Sequence, residues 1–477
     1  MDVAGWPPTG AGPGITLPGG LPGGLLYARG FLLVQGSRPA ALASWREYPV
    51  GDRHLYVDPR VPVQLASSPG RRAWLVGDAF DPEAAVYTDV LRHLLTGDLL
   101  ERLDAVAGRF LLIVEEAGQL AIYHDAMGAR SIFYGGGVVA SHAALVADAL
   151  DAPLREWILP FITSRGYFKR DVKYLPGLET PFDGVRQLTP NTRLLLPQQK
   201  VERYWPRKPL QPSRRDQAVD ALVQHLAGLR AYLEQNGNAP IVGLSAGRDS
   251  RGVLAAVKSL SPRLFTFVRS KDGTSSDSTD SSIARQLASR CGLEVEIVRV
   301  RAPSPLDAVA TPFASAFRRN TGYVRGSNVA WIEHFAGQEA GAPVFVRGSG
   351  GEVMRGFYRK MTHANVTGLA NTYDVNAGSR YTRDAFRAFL DVANWTREAL
   401  LDYELSDIFY WEHRMGIWGA SSLAEADMAF RAVPGYNSRN LFRTFMGLPQ
   451  DLRASSDIFT EGTLRLAPEL SGVPYDS

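Results

Sequence analysis

Residues 241–251 read Ile-Val-Gly-Leu-Ser-Ala-Gly-Arg-Asp-Ser-Arg, and the reading of this stretch decides the fold. The apolar run Ile241 to Leu244 has the character of a buried strand. It breaks at Ser245-Ala246-Gly247, and an Ala- and Val-rich stretch of helical character follows from Ser250. A strand, a tight loop and a helix in that order aim backbone N–H groups and the positive end of a helix dipole at one point, which suits a phosphate. Gly247 would let the backbone approach an anion, the hydroxyls of Ser245 and Ser250 can donate to phosphate oxygens, and Asp249 can hold magnesium. Two other readings fit the same residues. Small polar residues often cap helices with no further duty, and Gly243-Leu244-Ser245-Ala246-Gly247 also matches the Gly-x-Ser-x-Gly nucleophile elbow of α/β-hydrolases.

Working outward, the alternation around this stretch predicts an α/β fold. A linker, Trp205 to Arg215, precedes a helix over 215–235. Strands follow at 241–244, 264–269 and 295–300, separated by a helix after 250 and another over 281–290. Strands alternating with helices at this spacing imply a parallel sheet covered on both faces. Beyond Arg318 the pattern is mostly helical, interrupted by a strand at Val344 to Arg347 and the glycine turn Gly348-Ser349-Gly350-Gly351. In open parallel sheets ligands sit beyond the carboxyl ends of the strands. The loops 245–250 and 348–351 are therefore expected to converge on one pocket, with Glu352 beside the second. Upstream, residues 5–24 are a Gly/Pro-rich leader. Residues 25–150 show short β segments at 25–35, 72–76, 110–115 and 120–124, the last two joined as a hairpin. Helices are expected over 87–95 and 141–150, and a second hairpin from 186–196 to 200–205 across Pro197-Gln198-Gln199. The domain division expected is 1–24, 25–207 and 208–477.

Composition excludes several classes. The chain has 477 residues, 45% hydrophobic and 21% charged, with a net charge of +3, which is ordinary for a globular protein and gives no electrostatic reason to expect nucleic acid. The single cysteine, Cys291, allows no internal disulfide and no thiolate metal cluster, and its place before Gly292 suits packing better than nucleophilic duty. The eight histidines form no zinc spacing. No signal peptide or membrane span is expected, which fits a cytoplasmic location.

With these residues in view, the chain resembles the asparagine synthetase class of amidotransferase-like ATP pyrophosphatases, which includes the β-lactam synthetases. The family loop Ser-Gly-Gly-x-Asp-Ser is matched by Ser245-Ala246-Gly247-Arg248-Asp249-Ser250. Asp280, ahead of Ile283-Ala284-Arg285-Gln286-Leu287-Ala288, is similar to a second family segment. Arg347 to Glu352, running on to Gly356-Phe357-Tyr358, is a loose counterpart of the family's magnesium loop. In the first half, Gly108-Arg109-Phe110, the stretch His124 to Tyr134, Thr180 to Val185, and then Leu188, Pro190 and Tyr204-Trp205 are similar to the glutaminase-type domain. The resemblance implies an Ntn-hydrolase-like α+β sandwich followed by a PP-loop domain with a mostly helical carboxyl-terminal part.

The departures bear on chemistry. Glutamine-hydrolysing members begin with Cys, whereas Met1-Asp2 stands here, so the first domain is expected to be a silent scaffold. The family's acid–base residue falls near Ser349, and its metal-binding Asp becomes Glu352. No lysine follows Lys360, although the family carries one in its carboxyl-terminal loop to stabilise the adenylate and pyrophosphate. Arginine can supply such charge, and Arg431, Arg439, Arg443 and Arg453 are the candidates, with Arg439 and Arg443 spaced to share a helix face.

The function these features imply is an ATP-dependent amide-forming ligase. It adenylates a carboxylate, releases pyrophosphate and transfers the acyl group to an amine without hydrolysing glutamine. Leu244, Ser245, Gly247, Asp249, Ser250, Val268 and Gly348 form the expected ATP-binding set, and Asp249 and Glu352 the expected Mg2+ ligands. Arg248 and Arg251 flank the loop toward phosphate or solvent. Tyr358, aided by Glu404 or Glu412, is the candidate proton acceptor, with Arg439 and Arg443 as the cations, and the region 403–418 as a candidate acyl pocket. Small-molecule or peptide carboxylates and amines are the expected partners, nucleic acid and membrane are not, and a homodimer is compatible with such a chain. Two alternatives remain open: a nucleotide-binding pseudoenzyme, and an α/β-hydrolase using Ser245.

Overall fold

The structure is a computed structural model that describes residues 24–36, 38–83, 89–170, 172–237, 239–270, 278–301, 311–322, 328–336, 338, 343–358, 362–455 and 457–475. The leader expected over 1–24 lies almost wholly outside the described residues, as do Lys360 and the first residues of the helix expected over 87–95.

Two six-stranded antiparallel sheets make up the first half. In one, Phe31–Val34 is flanked by Arg53–Val57 and Val138–Ala140. In the other, Arg71–Phe80, Ala107–Glu116 and Gln119–His124 run side by side. The alternation of side chains along each strand sends one set inward: Phe31, Leu33, Leu55 and Val57 meet Val76, Leu111, Ile113 and Ile122 in a core between the sheets. The opposite set of the first sheet, Leu32, Tyr56 and Ala140, packs under helix Ala143–Leu150. The hairpin at Glu116–Gln119 forms with its turn at Ala117-Gly118, as the sequence implied. The second expected hairpin is shorter. Thr192–Leu196 pairs with Lys200–Arg203, but Arg186–Gln187 crosses to the other sheet, where it pairs with Phe133–Gly135. Apolar residues on both sides of 188–191 had concealed that change of sheet.

The second half holds a five-stranded parallel sheet. Its strands, in spatial order, are Val295–Arg301, Arg263–Ser270, Pro240–Gly243, Val344–Arg347 and Arg431–Pro434. The last strand was not legible in Arg-Ala-Val-Pro. Pro240–Gly243 lies at the centre, with the next strand of the chain on one side and Val344–Arg347 on the other. The winding therefore reverses between these two, and a crevice opens beyond their carboxyl ends. Helix Arg215–Gln235 forms over the expected span. Helix Arg248–Val257 follows the central strand and is buried from Ser250 to Val257. Among the described residues no helix is long and apolar enough to cross a membrane.

Charges weld the halves together. Arg109 makes a bidentate pair with Asp427 at 2.6 and 2.7 Å, both side chains nearly inaccessible. Arg203 grips Glu412 in the same way at 2.7 and 2.8 Å, and Asn437 donates to Asp125 at 2.7 Å. Arg431 and Tyr232 both donate to the carboxylate of Asp78.

Candidate functional site

The loop after the central strand is built by its own side chains. Ser250 Oγ accepts from Ser245 N at 3.2 Å, the two serine hydroxyls lie 3.1 Å apart, and Gly247 N donates to Ser245 Oγ at 3.2 Å. Asp280, at the start of helix Thr279–Arg290, accepts from Ala246 N at 2.7 Å. Gly247 begins helix Arg248–Val257 with no side-chain cap, so the first turn keeps backbone donors of the kind that suit an anion.

The second glycine loop presses directly against this one. A Cβ at Gly348 would lie 2.8 Å from Ser250 N and from the Asp249 carbonyl carbon, and one at Gly351 would lie 2.0 Å from Asp249 Oδ1. Gly350, at φ +102°, has the left-handed backbone that favours glycine, and a Cβ there would strike the Tyr436 carbonyl oxygen at 2.3 Å. Tyr436 in turn donates its hydroxyl to Asp249 O at 2.8 Å. Gly348 thus brings the two loops into backbone contact, Gly351 lies against the Asp249 carboxylate, and Gly350 packs on Tyr436.

Together they floor a cavity of about 300 Å³. Leu244, Ser245, Gly247, Asp249, Ser250, Gly348, Ser349 and Glu352 line its polar side. Phe265, Phe267, Trp331 and Phe345 line the aromatic side, and Met415, Trp418 and Ser422 close it from a helix that includes a π-helical stretch, Tyr410–Gly419. This size and this division between an apolar wall and a few convergent polar groups are those of a small-molecule site.

Several expected site residues lie elsewhere. Val268 is buried outside the cavity, which Phe265, Thr266 and Phe267, nearer the start of the same strand, line instead. Arg439 is buried against the first half, donating to Asn191 and to the His124 and Asp125 carbonyls. Arg443 reaches Asn440, Arg453 pairs with Asp407, and Arg431 with Asp78. Sharing a helix face did not bring Arg439 and Arg443 to the site, because that face packs on the other half of the molecule. Arg251 faces neither phosphate nor solvent. It donates to the Val473 and Pro474 carbonyls and stacks on Tyr475, 3.8 Å from the ring centre. Tyr358 packs between Phe409 and Tyr410, its hydroxyl 3.5 Å from that of Tyr174, and does not line the cavity. Glu412 is held by Arg203, Asn191 and Trp395, and Glu404 caps the helix at 405–409. Of the aromatic stretch 403–418, Met415 and Trp418 reach the cavity.

Two further arginines, Arg347 and Arg355, stand at the site. Arg355 forms a bidentate pair with Asp249, its Nη2 2.9 Å from Oδ2. Arg347, the last residue of its strand, lines the cavity and donates Nη1 to Ser422 O at 2.9 Å. Their position next to the second glycine loop was the available signal. Glu352 is half-buried, and burial first, then the charge of Asp249, push its carboxyl above the ordinary glutamate range.

Asp249 and Glu352 both line the cavity. Both oxygens of Asp249 accept from Arg355, and among the described residues no group of three or more potential metal-ligating side chains occurs. Ser245 Oγ meets Ser250 and Gly247 rather than a histidine ring, so the general base that a serine nucleophile requires is not at hand.

No protein-family model and no curated protein matches the chain. Similar solved structures include NMN synthetase from Francisella tularensis, 14% identical over 42% of this chain and 94% of that one, with a TM-score of 0.20. Glutamine phosphoribosylpyrophosphate amidotransferase from B. subtilis, complexed with ADP and GMP, is 10% identical over 61% and 87%, with a TM-score of 0.23. NAD+ synthetase from Burkholderia pseudomallei is 13% identical over 52% and 87%, with a TM-score of 0.20. At such scores these likenesses bear on neither the fold nor the chemistry of this chain.

Proposed function

We propose that the protein is an ATP-dependent amide-forming ligase of the asparagine synthetase type, with a first domain that serves as scaffold. The observation that carries this reading is the meeting of the 245–250 and 348–352 loops at the switch point of a parallel sheet, in one cavity with an aromatic wall. The uncapped first turn at Arg248 and the hydroxyls of Ser245 and Ser250 suit pyrophosphate, while the aromatic side suits a base and an acyl group.

In the proposed reaction a substrate carboxylate attacks the α-phosphorus of ATP, and the bond to the bridging oxygen of pyrophosphate breaks. The amine then attacks the acyl carbon, loses a proton and displaces AMP. Charge develops on phosphate oxygens, so fixed donors and exact positioning supply most of the acceleration. Glu352 replaces Tyr358 as the proton acceptor, since it lines the cavity and burial raises its carboxyl above the ordinary glutamate range. No step is assigned to a protein-held metal ion.

Pyrophosphate release from ATP, measured with a panel of carboxylic acids and amines, tests the proposal. Release that depends on acid and is abolished in Asp249→Ala supports it. Saturable ATP binding without release for any acid favours the pseudoenzyme reading, and labelling of Ser245 by a fluorophosphonate without ATP favours the hydrolase.

A further inference from the structure

The cavity holds two carboxylates, Asp249 and Glu352, yet its proposed ligand carries several negative charges. Among its lining residues one side chain is cationic, Arg347. The four arginines that the sequence offered for this duty, Arg431, Arg439, Arg443 and Arg453, are committed to Asp78, Asp407, Asn191, Asn440 and backbone carbonyls elsewhere. Arg355 lies against Asp249 without lining the cavity.

Arg347 is also well fixed. It ends the strand beside the central one, its backbone is in register with Pro434, and its carbonyl accepts from Ser349 N at 2.7 Å and from Gly435 N at 2.7 Å. Its side chain crosses the cavity wall to Ser422 O on the helix that closes the opposite side. The guanidinium thereby links the strand end beside the 348–351 loop to the helix that carries Met415, Trp418 and Ser422. Its planar fork of donors suits anionic oxygens.

Building on the ligase reading, we propose that Arg347 is the anion-binding cation of this site, holding the phosphoryl oxygens of the nucleotide. The residue acts on charge rather than on the base, and this gives a test that a merely structural role would not satisfy.

The full-length protein and its Arg347→Met and Arg347→Lys variants are titrated with ATP, inorganic pyrophosphate and adenosine. Thermal melting checks the fold of each. Loss of a charge-assisted contact is expected to weaken ATP and pyrophosphate by about tenfold to a hundredfold in Arg347→Met. Adenosine affinity should stay within about twofold, and Arg347→Lys should recover part of the loss, keeping charge without the fork. Equal weakening of ATP and adenosine, or unchanged ATP affinity in folded Arg347→Met, overturns the assignment and leaves the ligase reading standing. If the wild-type protein binds neither ATP nor pyrophosphate, the ligase reading falls with it. Should Arg347→Met fail to fold, the ATP-to-adenosine ratio of Arg347→Lys decides: a ratio equal to wild type, with pyrophosphate unaffected, overturns the proposal.

Discussion

Replacing Gly348 with alanine probes the meeting of the two loops most directly. The added Cβ would sit 2.8 Å from Ser250 N and from the Asp249 carbonyl carbon, and 2.9 Å from Asp249 Cβ. These are atoms of the first helical turn, not the ends of flexible side chains. Regaining ordinary contact requires a retreat of roughly 0.6 Å. The helix cannot slide easily, since Ser250 to Val257 are all buried, so the overpacking should cost about 2 kcal/mol, within the usual range for an extra methyl in a tight place. Gly247→Ala is the matched control. Its Cβ would meet Ser245 Oγ alone, at 3.1 Å, and its φ of −71° is open to alanine. Stability should change by less than about 0.5 kcal/mol and in either direction, while ATP affinity falls because the methyl enters the anion's approach. Urea denaturation and ATP titration of both variants give the answer. Equal stability of the two, or unchanged ATP affinity in both, would refute the convergence of the loops on the ligand.

Further outcomes follow from buried charge. His124, His142 and His225 are fully inaccessible, and burial lowers them to about 3, 4 and 4, respectively. Their folded pKa values lie below the unfolded value of 6.5. The unfolded chain therefore takes up protons that the fold refuses, and stability falls as pH drops from 6.5 toward 4. The slope is about 1.4 kcal/mol per pH unit for each histidine, measured by urea midpoints, and His225→Gln should flatten it. Arg109→Met strands Asp427 in the interior and should cost about 3–5 kcal/mol, much of it recovered by adding Asp427→Leu; denaturation of the single and double variants checks this. Asp249→Ala should abolish acid-dependent pyrophosphate release, read in a coupled phosphate assay, while leaving the circular dichroism spectrum intact.

The parallel sheet was legible because three of its first four strands contain short apolar runs and Val295–Arg301 alternates apolar with charged residues, and the helix at 215–235 because its apolar residues recur at helical spacing. Strand Arg431–Pro434 was not, since only Ala432 and Val433 are apolar between an arginine and a proline, and it gains its identity by pairing with Val344–Arg347. The loop residues Ser245, Gly247, Asp249, Ser250 and Gly348 carried local signals and line the cavity together. Tyr358, Arg439 and Arg443 have suitable chemistry in the sequence, but tertiary packing gives each another partner. Arg347 and Arg355 went unnoticed for the converse reason. An arginine at a strand end or after a one-turn helix looks like any surface charge until the fold shows what stands opposite.

The ionic weld between the halves has a consequence for how such a chain can change. The linker around 208 reads in the sequence as a natural place to divide or exchange domains. Yet Arg109 and Asp427, Arg203 and Glu412, and Asp78 and Arg431 lie on opposite sides of it. A graft at that point would leave each half with buried charges that have no counterpart. The two halves therefore have to be inherited together. Each half persists because the other would carry stranded charges without it.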